Sequence, residues 1–193
     1  MESFILKFPS DTQFSDDEFF EFCAANDPLR IERNSKGQII IMSPSGSKTG
    51  NIHFRIYSSL ANWYDKNEHS GYIFDSSAGF KLPDQSVLAP DAAFVVKQRW
   101  ESLTDEQQKK FAPLTPDFII EVRSESDSLS QLKSKMDDWI RNGCRLAWLI
   151  DPIEKKAFIY RPNESVTSID NFNSKLSGEV VLPGFELDLS KLL

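Results

Sequence analysis

Two periods of apolar and polar positions alternate along this chain. Over residues 51–66, apolar side chains recur at Ile52, Ile56, Leu60 and Trp63, with Phe54, Tyr57 and Ala61 nearby. That spacing predicts a helix, entered through the flexible Gly46–Gly50 loop. Residues 126–142 repeat the pattern, with Leu129, Leu132, Met136, Trp139 and Ile140 on one face and Gly143 as the stop. A shorter helix is predicted over 15–26, where Ser15 and Glu18 have the spacing of a capping box. Elsewhere the period shortens. Residues 29–44 form two β-rich runs about the turn-forming Asn34–Gly37, which predicts a hairpin that Ser43-Pro44 ends. Strands are expected over 72–81, 91–96, 118–123 and 145–150, the last closed by Asp151-Pro152. Between 97 and 115 lies a polar excursion whose stretch 104–111 has helical character, and the runs AFIYR, SVTSI and 178–189 suggest short β elements at the rim.

From residue 51 the core order is therefore helix, three strands, helix, strand. With the second helix as a crossover, this gives an α/β fold: a mixed β-sheet flanked by helices, with an N-terminal β-hairpin and a C-terminal β segment. The expectation is one domain over 1–193, divided into N-terminal helix and hairpin (1–50), core (51–152) and C-terminal β segment (153–193).

Composition narrows the function classes. With 193 residues, 40% of them hydrophobic and 15 Phe among them, the chain can bury a full core. No apolar run approaches the roughly 20 residues of a membrane span. The start, MESFILKFPSD, carries an acid and no basic segment, unlike a signal peptide. Cys23 and Cys144 lack metal-ligand spacing and suit free thiols in a reducing, cytoplasmic compartment. A net charge of −7 argues against non-specific nucleic-acid binding, though not against a local basic channel. Lys133, Lys135, Arg141 and Arg145 cluster in sequence, as solvated surface charges commonly do. There is no Gly-rich nucleotide-phosphate loop and no Ser-His-Asp motif.

One residue breaks the apolar pattern. Glu121 stands inside PDFIIEVR, among Phe118, Ile119, Ile120 and Val122. A carboxylate buried there must lose its charge or find a cation. Period-two alternation puts Ile119, Glu121 and Arg123 on one face of the strand. About thirty residues earlier Asp91 opens another apolar strand directly after Pro90. Two carboxylates on neighbouring strands suit a hard divalent cation such as Mg²⁺, with the Val122 main-chain carbonyl as a third oxygen. The alternative is an internal Glu121–Arg123 ion pair that only holds the strand in place.

Pro90-Asp91 followed by Glu121-Val122-Arg123, in this order of elements, resembles the PD-(D/E)XK nuclease superfamily. The likeness is closer to its Uma-type branch of restriction endonucleases, common in cyanobacteria. The stretches that carry it are RIERNSKGQIIIMSPSGSKTGN (30–51), FDSSAGFKLPDQSVLAPDAAFV (74–95), PDFIIEVRSESDSLSQLKSKM (116–136), RLAWLIDP (145–152) and LPGFELDL (182–189). The resemblance implies a metal-dependent DNA endonuclease with Asp91 and Glu121 as ligands of Mg²⁺ or Mn²⁺. Arg123 stands where the superfamily carries its catalytic Lys, and Arg cannot readily exchange a proton. Either Arg123 works by charge alone or the Lys has migrated, and the family pattern then indicates Lys135. The family also carries an acid at Glu32, either an auxiliary ligand or a surface residue. A single compact site cuts one strand at a time, so a homodimer acting on DNA is expected, with hairpin 29–43 and the C-terminal β segment as candidate contacts. The rival is a catalytically inactive relative serving as a DNA- or protein-binding module. Asp127 suits the start of the following helix. Asp117, also after a Pro, suits a strand start, and His53 and His69 suit surface or helix-face positions.

Overall fold

The computed structural model describes residues 4–8, 14–67 and 70–193. His69 lies outside them. The elements run β1 (Phe4–Ile5), α1 (Asp16–Ala25), β2 (Arg30–Arg33), β3 (Ile39–Met42), α2 (Ser47–Tyr64), β4 (Gly71–Phe74), β5 (Phe80–Lys81), β6 (Val87–Leu88) and β7 (Ala92–Val96). They continue with α3 (Lys97–Glu101), α4 (Asp105–Lys109), β8 (Phe118–Val122), α5 (Leu129–Arg141), β9 (Leu146–Asp151) and β10 (Lys156–Tyr160). The chain then closes through β11 (Thr167–Ile169), β12 (Lys175–Ser177), β13 (Glu186–Asp188) and a 3-10 turn at Leu189–Leu192.

The central sheet is six-stranded, in the order β11-β10-β9-β8-β7-β4. Its β8–β9 pair is parallel, and α5 is the crossover between them. All its other pairs are antiparallel. Alternation divides β8 between two cores. Phe118, Ile120 and Val122 pack with Ile52, Ile56, Leu60 and Trp63 of α2 and with the C-terminal Phe185 and Leu187. Ile119 faces the other way, with Met136 and Trp139 of α5. Burying each of these large side chains contributes about 1.5–3 kcal/mol, which is why the helical stripes in the sequence predict the layers. A second sheet is ordered β1-β3-β2-β6-β5, and its last-entered strand β6 leads through Ala89 and Pro90 to Asp91 and β7. On β2, Ile31 joins Phe19 of α1 in a third cluster, while Arg30 and Glu32 take the opposite face.

Local signals explain the element ends. The Ser15–Glu18 capping box forms, with Glu18 N donating to Ser15 Oγ at 3.2 Å and Ser15 N to Glu18 Oε2 at 2.8 Å. Gly37 turns the 29–44 hairpin with φ +75°, and Gly143 ends α5 with φ +103°, both backbone conformations that favour glycine. Thr104 and Gln107 cap α4 in the same reciprocal way as Ser15 and Glu18.

Two expectations change. The run 72–81 is two strands, because Asp75 accepts from Ser77 N at 3.0 Å and from Ser77 Oγ at 2.6 Å, closing a turn. Its halves join different sheets. The helix expected from residue 126 begins at Leu129, because Asp127 Oδ2 accepts from Ser124 N at 2.7 Å and closes a preceding loop. The C-terminal runs do form β structure, with β11 as sheet edge and β12–β13 as a separate antiparallel pair.

Candidate active site

Antiparallel register brings the two sequence-predicted carboxylates together. Ala92 pairs with Ile120, so Asp91, one residue earlier, comes opposite Glu121, one residue later. Both line a cavity of about 380 Å³ between the end of β8, the β2 wall, α2 and α5. Glu121 is 4% exposed, Glu32 4% and Asp91 7%, so three carboxylates share a nearly dry wall.

Their cation is Lys135. Its Nζ lies 2.8 Å from Glu121 Oε1 and 2.8 Å from Glu32 Oε1, and donates to the Ala89 carbonyl at 3.2 Å. Trp139, one turn further along α5, donates from Nε1 to the same Glu121 oxygen at 3.0 Å. Ala89 N donates to Glu32 at 2.9 Å and ties β2 to the segment before Asp91. Helical periodicity puts both Lys133 and Lys135 at the flanks of the apolar face of α5 without choosing between them, and packing separates them. Lys133 Nζ sits 4.2 Å from the centre of the Phe158 ring, away from the carboxylates.

Asp91 is held differently. Its Oδ2 accepts from the Val122 amide at 2.8 Å, and its Oδ1 lies 3.5 Å from Arg30 Nη2. In extended backbone the N–H and C=O of one residue point to the same side, so the Val122 carbonyl is directed to the Asp91 side of β8. His53 Nε2 comes within 3.5 Å of Asp91 Oδ2 without forming a hydrogen bond. Of the two expected placements, surface or helix face, His53 thus takes the helix face. It is 9% exposed and belongs to the buried face of α2 with Thr49, Ile52 and Ile56.

Arg123 does not join this group. Its Nη1 is 2.8 Å from Asp151 Oδ2 and 3.5 Å from Glu154, and its Nε donates to the Asp127 carbonyl at 3.4 Å. The Glu121–Arg123 pair is therefore not formed. Arg123 follows the last residue of β8, where its amide donates to Ile150 O, and the fully buried Asp151 at the end of β9 attracts its side chain. Asp117 sits immediately before β8, as expected, in an ion-paired nest far along the strand from Glu121.

Crowding shapes the proton affinities. Burial pushes the Glu121 carboxyl up, to about 7, with Asp91 and Glu32 adding to the rise and Lys135 opposing it. Burial works against the Lys135 charge, but Glu121 and Glu32 outweigh it and hold its pKa above the ordinary lysine value. Burial also opposes ionisation of Asp91. His53, Arg30 and the Val122 amide more than offset it, and the Asp91 carboxyl stays below its usual range.

Among the described residues, no three or more His, Cys, Asp and Glu side chains converge as a ligand set. What the cavity offers is the Asp91–Glu121 pair beside the Val122 peptide, all oxygen donors. Mg²⁺ is commonly bound through one or two carboxylates and completed by water and phosphate oxygens, so this donor set fits such an ion. Sequence reasoning missed Arg30 and His53. Their signals were present: Arg30 lies two residues before Glu32 on one strand face, and His53 falls on the apolar stripe of α2.

The model of a family described as "Uma2: Putative restriction endonuclease" matches residues 16–190. The chain belongs to the Uma2 family. A crystal structure from Anabaena variabilis ATCC 29413, titled as a putative nuclease belonging to DUF820, is similar over 93% of this chain and 97% of that one, with a TM-score of 0.74 and 21% identity. At that identity the likeness establishes the fold, and the Uma2 chain shares it. No curated protein matches.

Proposed function

We propose that this Uma2-family chain is a divalent-metal-dependent endonuclease that hydrolyses DNA phosphodiesters. The observation that carries the reading is the meeting of Asp91 and Glu121 across β7 and β8 with the Lys135 ammonium against Glu121. Asp91, Glu121 and the Val122 carbonyl would hold Mg²⁺ or Mn²⁺, with Glu32 as an auxiliary acid. When bound, the ion would supply Lewis-acid polarisation of the phosphate and a lower pKa for the attacking water. Lys135 would offset charge developing on the phosphate, since its ammonium, on a side chain 16% exposed, stands beside the cluster. Glu32 and Trp139 orient that ammonium and the Glu121 carboxyl before substrate arrives. Arg123, tied to Asp151, would act at most through its charge. One cluster per chain cuts one strand, so duplex cleavage calls for a homodimer. Two free cysteines suit a cytoplasmic setting. No described helix is long and apolar enough to cross a membrane.

The second reading, an inactive binding module, draws on the same ammonium: Lys135 already pairs with both Glu121 and Glu32. Calorimetry with Mn²⁺ separates the two. Stoichiometric binding by the wild type, lost in Asp91→Asn and in Glu121→Gln, supports the nuclease and should accompany cleavage of plasmid DNA. Absence of binding at millimolar Mn²⁺ overturns it.

A further inference from the structure

Two buried nitrogens in the cavity, Arg30 Nε and His53 Nε2, have no hydrogen-bond partner among the described residues. Buried polar groups in folded proteins are almost always paired, so two orphans in one cavity call for an explanation. They flank one carboxylate: Arg30 reaches Asp91 Oδ1 only at 3.5 Å, and His53 stands 3.5 Å from Oδ2. Arg30 carries a fixed fork of donors and accepts nothing. An imidazole can place its N–H on either ring nitrogen, so the buried Nε2 of His53 can serve as a second donor. Neither donor serves the fold fully where it is. Both serve a ligand that brings acceptor oxygens to the Asp91 side of the cavity.

Building on the nuclease reading, we infer that Arg30 and His53 form a clamp for a nucleic-acid phosphodiester, holding its non-bridging oxygens beside the Asp91–Glu121 pair. The clamp comes from two separate elements, β2 and α2, so it grips the strand between the second sheet and the central one. Arg pairs with phosphate through two parallel N–H donors, and a half-buried guanidinium strengthens such bonds. The remaining wall suits a sugar-phosphate chain, since the hydroxyl residues Ser43, Ser45, Thr49, Ser126 and Ser128 line the same cavity. A protein of net charge −7 gains little from non-specific attraction to DNA, and local donors of this kind would supply the grip instead.

The test is fluorescence anisotropy of a short labelled DNA duplex in Ca²⁺ over a salt series, for wild type, Arg30→Gln, Arg30→Lys and His53→Asn. Thermal unfolding of each variant checks the fold. Arg30→Gln should weaken binding by about tenfold or more and lower the salt slope by about one phosphate contact. Arg30→Lys should restore the slope but only part of the affinity, because it keeps the charge and loses the fork. His53→Asn should weaken binding by a smaller factor with the slope unchanged. If Arg30→Gln unfolds, the Arg30→Lys and His53→Asn losses carry the test. Unchanged affinity and slope in folded variants overturn the clamp, and Arg30 and His53 then serve only Asp91 or bound water. If the wild type cleaves DNA while the variants bind normally, the clamp alone fails. If the wild type neither binds nor cleaves, the nuclease reading falls with it.

Discussion

Asp117 and Glu121 stand at opposite ends of β8, both almost wholly buried, yet their neighbours differ in sign. Asp117 accepts from Val96 N at 2.9 Å and lies 2.9 Å from Arg99 Nη1 and 3.5 Å from Arg145 Nη1. Those two side chains are 40% and 48% exposed, so the cationic side is only partly desolvated. Glu121 meets one lysine and two further carboxylates, and burial lifts its pKa to about 7. A buried carboxylate surrounded by surplus cations is a joint of the fold. One crowded by its own sign would gain from a cation from outside, and on that ground Glu121 is the carboxylate we propose for the site. Burial alone does not distinguish them.

Several substitutions would break or sharpen that contrast. The largest effect belongs to Glu121→Gln, expected to lower metal-dependent cleavage on the order of 10³-fold or more while the protein stays folded. Single-turnover cleavage with circular dichroism measures both, and retained cleavage removes Glu121 from the site. Asp117→Asn should do the reverse, costing about 1.5–3 kcal/mol of stability through lost charge-assisted bonds with cleavage little changed. Urea unfolding decides that, and an unaltered midpoint would make the Asp117 nest ornamental. The smallest effect is a pH slope. Folded Glu121 keeps a proton to about pH 7 that the unfolded chain releases near the ordinary glutamate value of 4.5. The folded state therefore binds more protons across this window, and stability should fall as pH rises through it. With metal chelated, urea midpoints should decline across that window in the wild type and decline less in Glu121→Gln. Parallel slopes in the two proteins would mean that Glu121 titrates normally.

Much of this was legible before any folding was considered. The stripes at Ile52–Trp63 and Leu129–Ile140 carry their own period, as does the alternation in β8, and these place α2 and α5 on opposite faces of one sheet. Glu121 stood out because an ionisable group inside an apolar strand is expensive whatever the fold, and Asp91 because it opens the neighbouring strand. The break at Asp75 was harder to see. A turn closed by one side chain competes with β propensity locally, and the winner depends on which sheet each half can join.

What tertiary structure alone decided is the company each charge keeps. Alternation puts residue 123 on the face of residue 121, but β8 ends at Val122, and beyond it Arg123 answers to Asp151 at the end of β9. Lys133 and Lys135 both flank the apolar face on a helical wheel. Only the seating of α5 across β8 and β9 sends one to Phe158 and the other to Glu121. Arg30 and His53 meet at Asp91 from segments far apart from it in sequence. Periodicity is a local property of the chain, so the sequence by itself determined which face each residue takes. Which cation meets which carboxylate across that face is set by long-range packing, where side-chain reach and burial are decided together.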